Sequence, residues 1–544
     1  MKKAFLALAL IMLAGGAILQ GQEVYKYWVA FADKEGSPYN LDEPSGYLSP
    51  RAIERRQRLG IDLDSLDLPV SPRYIAALQQ EGFIVQNRSK WLNGVVLFSR
   101  DSVGMDAFAR FPFVDTVILC DRGGVAQPDT EVFNIGYPLD RFPFPEPFSD
   151  EYYGAACFPI KQLRGHYLHR GGYQGQGVVI GVCDCGFPGV DTTAIFEPMR
   201  SEGRLLATRD FVWANENNVY TIHSHGTHVL STMAVFEPGM YVGTAPKASY
   251  VLCRTENVFS ETPLEEYNWV AAAEYLDSLG ADIISTSLGY FNYDDSTRSY
   301  SLSDLDGTTA PISCGSAIAV SRGMLVINAA GNDGQATPQH LNVPADTRTV
   351  LTVGAVDTLG VRADFSAHGS VFGSYVKPDV MAMGVDVVSA SPDGLFRLTN
   401  GTSLSCPIMA GMMACLMQCY PNRAPQRLCD MVRSWGSLAD HPDPMSGYGI
   451  PDFGRAVGAP VAIGTCGDEQ SFQLYPNPAS HWVVLSLGDQ PKDVLLVVTD
   501  MMGRTMLNQR VNTPELRFSI DAWPSGTYFV NVNGKVAKMA VVTF

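Results

Sequence analysis

Three segments of this chain differ in how their hydrophobic positions are spaced. From Val24 to about Asp121, strand-like runs alternate with two helical stretches, which predicts a small α+β domain. From Gly177 onwards, continuous apolar runs alternate with longer helical patterns, as in a parallel sheet that helices cover on both faces. Residues 472–544 hold short alternating strands separated by Gly, Pro and Asn turns, which predicts a small antiparallel β-sandwich.

The central segment is therefore predicted to be an α/β domain. The runs that predict its strands are Val178–Asp184, Tyr250–Arg254, Asp282–Leu288, Met324–Ala330, Val350–Val356 and Val385–Ala390. Its predicted helices include His225–Phe236, Pro263–Leu279, Pro311–Arg322 and Ser403–Tyr420. In open parallel sheets, ligands bind beyond the carboxyl ends of the strands. We therefore expect residues with a chemical role at strand ends and helix starts.

The segments between these patterns complete the predicted domain organisation. Residues 1–21 have a basic start, an apolar run and then small residues, which is typical of a secretory signal. No later segment is expected to be long and apolar enough to span a membrane. Residues 122–154 and 461–471 have the composition of linkers. The predicted domains are then residues 22–121, 155–460 and 472–544.

Charge and cysteine content narrow the class of protein. The net charge of −17 argues against nucleic acid as a partner. The 11 cysteines are scattered, and several lie in apolar runs. Such cysteines are more often small core residues than halves of disulfides, and the sequence leaves their pairing open.

Ser403 is the first candidate for chemistry. It follows the flexible turn Asn400-Gly401-Thr402 and opens an apolar run with the composition of a buried helix. A serine there lies near free backbone N–H groups, which suits a nucleophile whose attack creates an oxyanion. A simple helix cap is the alternative interpretation of such a turn.

Three other polar residues stand where the sheet places its ligand site. Asp184 ends the first strand of the sheet and can orient an imidazole, or simply form a turn. His225 opens a helix and can act as a general base. Asn332 follows the strand Met324–Ala330, and its side-chain amide can donate to an oxyanion.

The histidines at 223, 225 and 228 also have a spacing that metal sites use. A metallo-hydrolase of the His-x-His-x-Asp-His type requires an Asp where Thr227 stands, and matching distal ligands are not evident. The interpretation of His225 as a base is therefore preferred, with no metal at the site. His223 and His228 are given no catalytic role.

Taken together, the order Asp, His, Asn, Ser resembles that of the subtilisin-like serine peptidases (subtilases). The resemblance covers about residues 155–460 and rests on these motifs: Asp184-Cys185-Gly186, His225-Gly226-Thr227-His228, Ala330-Gly331-Asn332 and Gly401-Thr402-Ser403 through Pro407. It implies a secreted endopeptidase that acts through an acyl-enzyme. Ser403 would be the nucleophile, His225 the base, Asp184 its orienter and Asn332 an oxyanion donor.

The resemblance also implies where the substrate binds. Ser287, Leu288 and Gly289 match the segment that pairs with the substrate backbone, and Ala329, Ala330 and Gly331 match the wall of the first specificity pocket. Two departures are evident: Cys185 stands where the family usually has Thr or Ser, and Leu404-Ser405 where it usually has Met-Ala. Because both changes nearly conserve size, an active enzyme is still expected.

The flanking domains resemble parts of exported subtilases. Residues 22–121 have the place and size of a propeptide that blocks the site until it is cut away, which implies a zymogen. The tail, which begins Leu474-Tyr475-Pro476-Asn477-Pro478, resembles the sorting domain of type IX secretion in Bacteroidetes-type bacteria. The implied partners are protein or peptide substrates, the chain's own propeptide and the type IX secretion machinery. The implied location is extracellular or at the cell surface.

Alternatives remain at this stage. A catalytically silent surface binding protein on a subtilase fold is one, and a metal-dependent hydrolase is another. No cofactor is required for the implied chemistry. Structural calcium at Asp294, Asp295, Asp304 and Asp306 is weighed against a solvated, capped loop, and the loop is preferred.

Overall fold

The computed structural model describes residues 24–99, 105–123, 136–139, 141, 146–213, 218–221, 223–369, 375–459, 472–475, 479, 481–487, 494–532 and 535–541. Contacts divide the chain into two units, residues 1–459 and 460–544. The predicted signal (1–21) and the predicted linker 461–471 lie outside the described residues.

The N-terminal domain is the predicted α+β domain. Its elements are β1 (Val24–Phe31), α1 (Pro50–Leu59), α2 (Pro72–Gln80), β2 (Ile84–Ser89), β3 (Gly94–Ser99) and β4 (Val114–Gly123). The strands form an antiparallel sheet in the order β2-β3-β1-β4. Successive residues of a strand face opposite sides. Accordingly Tyr27, Val29 and Phe31 pack into the domain's own core, whereas Trp28 packs against Tyr267 outside it.

The next part of the chain forms the predicted α/β domain. Its elements up to the middle of the sheet are α3 (Asp150–Tyr153), α4 (Cys157–Gln162), α5 (His166–Arg170), β5 (Val179–Asp184), α6 (Glu197–Ser201), β6 (Leu205–Asp210), α7 (His225–Ala234), β7 (Phe236–Glu237), β8 (Tyr241–Val242), β9 (Ser249–Arg254), α8 (Leu264–Leu279) and β10 (Ile283–Thr286). Then follow α9 (Pro311–Ser321), β11 (Leu325–Ala329), β12 (Leu351–Val356), β13 (Val380–Met383), β14 (Val387–Ala390), β15 (Phe396–Thr399), α10 (Thr402–Cys419) and α11 (Pro425–Ser434).

Seven parallel strands make the central sheet, in the order β13-β12-β11-β10-β5-β9-β6. Strand β5 comes first in the chain and lies inside the sheet, with later strands added on both sides of it. The strand order therefore reverses beside β5, and a crevice forms at the carboxyl ends of β5 and β10. The buried side chains of β5, β10, β11 and β12 explain their continuous apolar sequences.

Two of the seven strands of the parallel sheet were not predicted, and one predicted strand belongs to a different sheet. The predicted strand Val385–Ala390 does not join the parallel sheet, because β14 pairs with β15 as an antiparallel hairpin across the turn at Pro392-Asp393-Gly394. Strand β13 takes the edge position instead. It has only four residues, which is too short for an apolar run that sequence analysis would recognise as a strand. Strand β6 at the other edge is only partly buried, so it lacks a continuous apolar run.

Helix α10 is apolar on all sides because it is a core helix. It is the one described helix that is long and apolar enough to cross a membrane by length and composition, contrary to the prediction that no such run exists. Within the protein, 89% of its 18-residue window is buried. It packs against β10, β11, β12 and β13. Helix α10 is apolar on all sides because it is buried between the sheet and the elements around it.

Buried charges join the N-terminal domain to the α/β domain. Asp277 on α8 accepts hydrogen bonds from Arg55 (2.5 Å), Arg56 (3.0 Å) and Lys90 (2.9 Å). Burial alone would raise the pKa of Asp277, but the three nearby cations lower it. Glu274, one helical turn earlier, accepts hydrogen bonds from the backbone N–H of Lys90 and of Trp91 and from the Ser89 hydroxyl. The two domains thus share a charge-paired interface over α8.

The second unit is the predicted β-sandwich, described by itself. Its strands are β16 (Gln473–Tyr475), β17 (Trp482–Ser486), β18 (Val494–Asp500), β19 (Thr505–Val511), β20 (Glu515–Ser519), β21 (Gly526–Val532) and β22 (Lys535–Val541). They form a three-stranded sheet, β16-β17-β20, and a four-stranded sheet, β19-β18-β21-β22. Alternate residues such as Val483, Leu485, Leu496 and Val498 fill one common core.

Candidate active site

The carboxyl ends of three adjacent strands carry the predicted site residues. Asp184 is the last residue of β5, Ser287 follows β10, and Ala330 to Asn332 follow β11. Strand β10 lies between the other two and is parallel to both. The sheet therefore brings these groups to one edge, where helix α10 also begins.

Asp184 and His225 form a close pair. The Nδ1 atom of His225 lies 2.8 and 3.0 Å from the two carboxylate oxygens of Asp184. The Asp184 side chain is fully buried, whereas 30% of the His225 side chain is exposed. Cys185 contacts the same carboxylate, with its backbone N–H 2.8 Å and its Sγ 3.2 Å from Oδ1. A carboxylate in this position stabilises the imidazole tautomer that carries its proton on Nδ1.

Ser403 and Asn332 flank the same small space. Gly401 lies two residues before Ser403 with φ +148°, and a Cβ at that position would lie 2.8 Å from Ser403 Oγ and 3.5 Å from Asn332 Nδ2. The Oδ1 atom of Asn332 accepts hydrogen bonds from Thr402 N and Oγ1, both at 3.0 Å. These bonds fix the amide so that its nitrogen is the end near Ser403. Residue 401 has to be glycine because any side chain would fill this space.

Buried polar contacts tie the start of α10 to the strand ends. Ser287 donates from Oγ to the Ser403 carbonyl at 2.8 Å. Ser405 donates to the Met383 carbonyl at 3.1 Å, and Cys406 lies within hydrogen-bond distance of the Thr286 and Ile327 carbonyls. The hydroxyl of Ser405, one of the two departures named in the sequence, is thus hydrogen-bonded. A serine at position 405 therefore leaves no buried polar group without a hydrogen bond.

The predicted substrate-binding segments have a common neighbour that the sequence did not reveal. A Cβ on Gly289 would lie 2.7 Å from Asn342 Cβ, and one on Gly331 would lie 3.2 Å from Asn342 Cγ. Asn342 Nδ2 also donates to Asp333 Oδ2 at 3.0 Å. The Asn342 side chain therefore lies between the segments 287–289 and 329–331. No motif marks it, because it comes from a separate loop.

Glu256 is a second residue that the sequence did not single out. It is buried just beyond β9 and accepts hydrogen bonds from Tyr290 Oη at 2.8 and 2.7 Å and from Thr255 Oγ1 at 2.8 Å. Burial raises the pKa of Glu256 to about 7, and the nearby charge of Asp184 acts in the same direction. Through Tyr290 this carboxyl supports the segment that follows β10. The sequence did offer one sign of this residue, since the polar residues Thr255-Glu256-Asn257 directly follow an apolar strand.

The other two histidines of the motif have different surroundings. His228 is buried, and its Nδ1 lies 2.9 Å from Ser389 Oγ; burial lowers its pKa to about 4. His223 Nδ1 accepts a hydrogen bond from the His225 backbone N–H at 3.2 Å and lies 3.5 Å from Cys185 Sγ. His228 therefore packs against the β14–β15 hairpin, whereas His223 lies beside the Asp184–His225 pair.

The acidic loop before α9 uses its carboxylates as caps. Asp295 accepts from Thr297, Asp304 from Ser301 and Asp306 from Thr308 and Thr309, and Asp294 accepts from the backbone of Glu261. Among the described residues, the four carboxylates form no group of three with ligand oxygens within 4.8 Å. The four carboxylates therefore act as hydrogen-bond acceptors that cap nearby N–H and hydroxyl groups.

Three family models and several known proteins match parts of the chain. Residues 175–446 match the Subtilase family (peptidase S8), residues 26–129 the Peptidase S8 propeptide domain of Bacteroidota, and residues 473–542 the Secretion system C-terminal sorting domain. Subtilisin E of Bacillus subtilis (strain 168) is 30% identical over 289 residues, 52% of this chain and 67% of its own. Subtilisin of Bacillus pumilus is 29% identical over 282 residues, 51% of this chain and 90% of its own. The solved structure of MycP1 from Mycobacterium smegmatis is similar with a TM-score of 0.46 at 20% identity, over 63% of this chain and 93% of that one.

The fold and the matches define a serine-type endopeptidase with a propeptide domain and a secretion tail. The chain belongs to the subtilase family. The predicted activity, the zymogen organisation and the extracellular or cell-surface location are thereby confirmed. The ten cysteines among the described residues are free thiols, in line with their prediction as core residues rather than bridges. Subtilisins require no cofactor for catalysis.

Proposed function

We propose that Ser403, His225, Asp184 and Asn332 carry out peptide-bond hydrolysis in this subtilase. Ser403 Oγ attacks the substrate carbonyl while Nε2 of His225 takes its proton, and the same imidazole later protonates the leaving amine. Asp184 accepts from Nδ1–H of His225 throughout and stabilises the imidazolium. The observation that carries the proposal is the buried Asp184 carboxylate, 2.8 Å from His225 Nδ1, because a buried carboxylate on that atom leaves Nε2 as the acceptor.

The oxyanion in this proposal forms beside Gly401. Its donors are the Asn332 amide, held by Thr402, and the backbone N–H of Ser403 in the first turn of α10, where N–H groups have no partner within the helix. Such prepositioned donors cost no reorganisation when the charge develops. A purely structural Asn at this strand end would not need its nitrogen aimed at the side of Ser403.

The substrate in this proposal lies between two strand-end segments. Ser287, Leu288 and Gly289 pair with the extended peptide backbone as an added strand. Ala329, Ala330 and Gly331 form a wall of the first specificity pocket, and Asn342, packed against both segments, closes its inner side. The expected substrates are proteins and peptides in extended conformation.

The flanking domains regulate and export the peptidase in this proposal. The N-terminal domain, residues 22–121, acts as an intramolecular inhibitor that α8 holds through Asp277 and Glu274, and cleavage falls within 122–154. The peptidase domain is residues 155–460, and the tail, residues 472–544, is read by the type IX secretion machinery. No structural calcium enters the proposal, so EDTA is expected to leave the Tm unchanged.

Hydrolysis of an unfolded protein substrate tests the proposal. The secreted wild type is expected to cleave it, and Ser403→Ala to lose the activity. Ser405→Ala is the matched control two residues further on, because it restores the residue usual in the related sequences and should keep most of the activity. An inactive wild type with its N-terminal domain removed would favour a silent binding protein. Loss of wild-type hydrolysis with 1,10-phenanthroline would favour a metal-dependent hydrolase.

A further inference from the structure

A thiol and a second imidazole lie directly beside the Asp184–His225 pair. Cys185 Sγ is 3.2 Å from Asp184 Oδ1 and 3.5 Å from His223 Nδ1. The same carboxylate oxygen is 2.8 Å from His225 Nδ1. Among the described residues, Asp184, Cys185 and His225 are the one group of three potential metal ligands whose ligand atoms all lie within 4.8 Å of one another.

These distances are close to those of a tetrahedral zinc site. Zinc bonds of about 2.0 Å to nitrogen or oxygen and about 2.3 Å to sulfur place neighbouring ligand atoms about 3.3 to 3.6 Å apart. The distance between Cys185 Sγ and Asp184 Oδ1 already differs little from these values, and the distance between Asp184 Oδ1 and His225 Nδ1 needs to grow by about 0.5 Å. His223 is not part of this group of three, although its Nδ1 lies beside Cys185 Sγ. We propose that Asp184, Cys185 and His225 bind a thiophilic divalent cation such as Zn²⁺, that His223 becomes the fourth ligand when its ring turns towards the cation and gives up its hydrogen bond from the His225 backbone N–H, and that the bound cation inhibits the peptidase. The inhibitory part of this proposal rests on the proposed role of His225.

The site is accessible from the imidazole side. The His225 side chain is 30% exposed and His223 is half-buried, whereas Asp184 and Cys185 lie beneath them. A cation can therefore reach the imidazoles first and then the thiol and the carboxylate. Four protein ligands complete the coordination sphere of zinc and leave no position for a reactive water. Such a site is closed, so it does not turn the protein into a metal-dependent hydrolase.

The chemistry of binding explains the expected inhibition. The thiol proton of Cys185 leaves to solvent, because the thiolate is the ligand. The ring proton of His225 moves from Nδ1 to Nε2, because Nδ1 gives its lone pair to the cation. Nε2 is then a donor and cannot accept the proton of Ser403. Removal of the cation restores the Nδ1–H tautomer and with it the activity.

Inhibition by Zn²⁺ in matched variants tests the proposal, each rate being compared with that of the same variant without metal. Cys185→Ser is expected to raise the Zn²⁺ concentration for half-inhibition about tenfold or more, since one of four ligands is lost. His223→Gln is expected to act in the same direction. Cys183→Ser, a buried thiol two positions earlier on β5, should respond to Zn²⁺ like the wild type. Equal inhibition of Cys185→Ser and the wild type would overturn the proposal.

Co²⁺ binding gives a readout that does not depend on activity. In the full-length Ser403→Ala chain, Co²⁺ is expected to show the intense near-ultraviolet absorption of a cobalt–thiolate bond, and the added Cys185→Ser change should remove it. Bound Co²⁺ without this absorption would overturn the site. Because Ser403 is absent from this experiment, a failed nucleophile assignment and a failed metal site give different results.

Discussion

The guanidinium of Arg55 in the N-terminal domain donates to the carboxylate of Asp277 on α8 at 2.5 Å, and both side chains are almost fully buried. Arg56 and Lys90 contact the same carboxylate. Three cations around one buried acid make the domain interface dependent on that single charge. Replacing one partner of a buried ion pair is far more damaging than losing a surface pair, because the other charge stays buried without compensation.

Asp277→Asn is therefore expected to destabilise the full-length Ser403→Ala chain by about 3–5 kcal/mol. Urea unfolding measures this through the fluorescence of Trp28 and Trp91, which are buried on the interface with α8 and its neighbours. The control is Glu81→Gln, which breaks an exposed pair with Arg110 and should cost no more than about 1 kcal/mol. Equal effects of the two changes would show that Asp277 does not hold the interface.

Buried carboxyls predict how stability depends on pH. Burial raises the pKa values of Glu256, Glu266 and Glu274 to about 7, above the ordinary value of 4.5. Between these values the folded chain holds more protons than the unfolded chain, so the free energy of unfolding falls as the pH rises. We expect these three carboxyls to lower the free energy of unfolding from about pH 4.5 to about pH 7, against the opposite contribution of the buried His166, His169 and His228, whose pKa values burial lowers to about 4.

Glu266→Gln tests this origin of the pH dependence. Its carboxylate accepts from Tyr293 and Tyr300, and a Gln Oε1 can accept the same bonds without titrating. The variant should lose less stability over this pH range than the parent chain in matched urea titrations. A slope identical to that of the parent would contradict the assignment to Glu266.

Asp184→Asn should lower kcat by about 10⁴-fold while the fold and the KM change little, because the His225 tautomer is no longer set by a carboxylate. Steady-state hydrolysis of a chromogenic peptide measures the loss, and circular dichroism checks the fold. Asp191→Asn, in the exposed part of the loop after β5, is the control and should behave like the wild type. A loss of less than tenfold in Asp184→Asn would argue against its orienting role.

Asn332→Leu should lower kcat by about 10²–10³-fold with little change in KM, because the amide acts on charge that develops only in the transition state. Thr402→Val separates donation from positioning: it removes one of the two hydrogen bonds that hold Asn332 Oδ1 and keeps the amide. A smaller loss of kcat is expected in that variant. If both variants lost activity equally, the amide would matter for local structure and not as a donor.

The central fold and the four candidate residues could be predicted from sequence because local patterns determine both. Buried parallel strands have continuous apolar runs, and Asp184, His225, Asn332 and Ser403 lie in short motifs at strand ends or helix starts. Short or half-exposed strands such as β6 and β13 lack that signal. Strand β14 pairs with β15 because a tight turn follows β14, and the apolar run that forms β14 gives no sign of this partner.

Contacts between distant segments could not be predicted in this way. Arg55 and Asp277 are 222 residues apart in the chain, and neither lies in a motif. Asn342 enters the substrate region from a loop whose sequence gives no indication of its neighbours. The closeness of Cys185 to His223 depends on how the loop before α7 folds back over β5. Tertiary packing alone creates these relationships.

Labelling with a fluorophosphonate probe tests the central claim most directly, because the probe reacts with an activated serine and requires no knowledge of the cleavage preference. The protein with its N-terminal domain removed should take up one probe, and peptide mapping should locate it on Ser403. Ser403→Ala should remain unlabelled, and Ser405→Ala should be labelled like the wild type. A folded wild-type domain that stays unlabelled, or a label on another serine, would contradict the account.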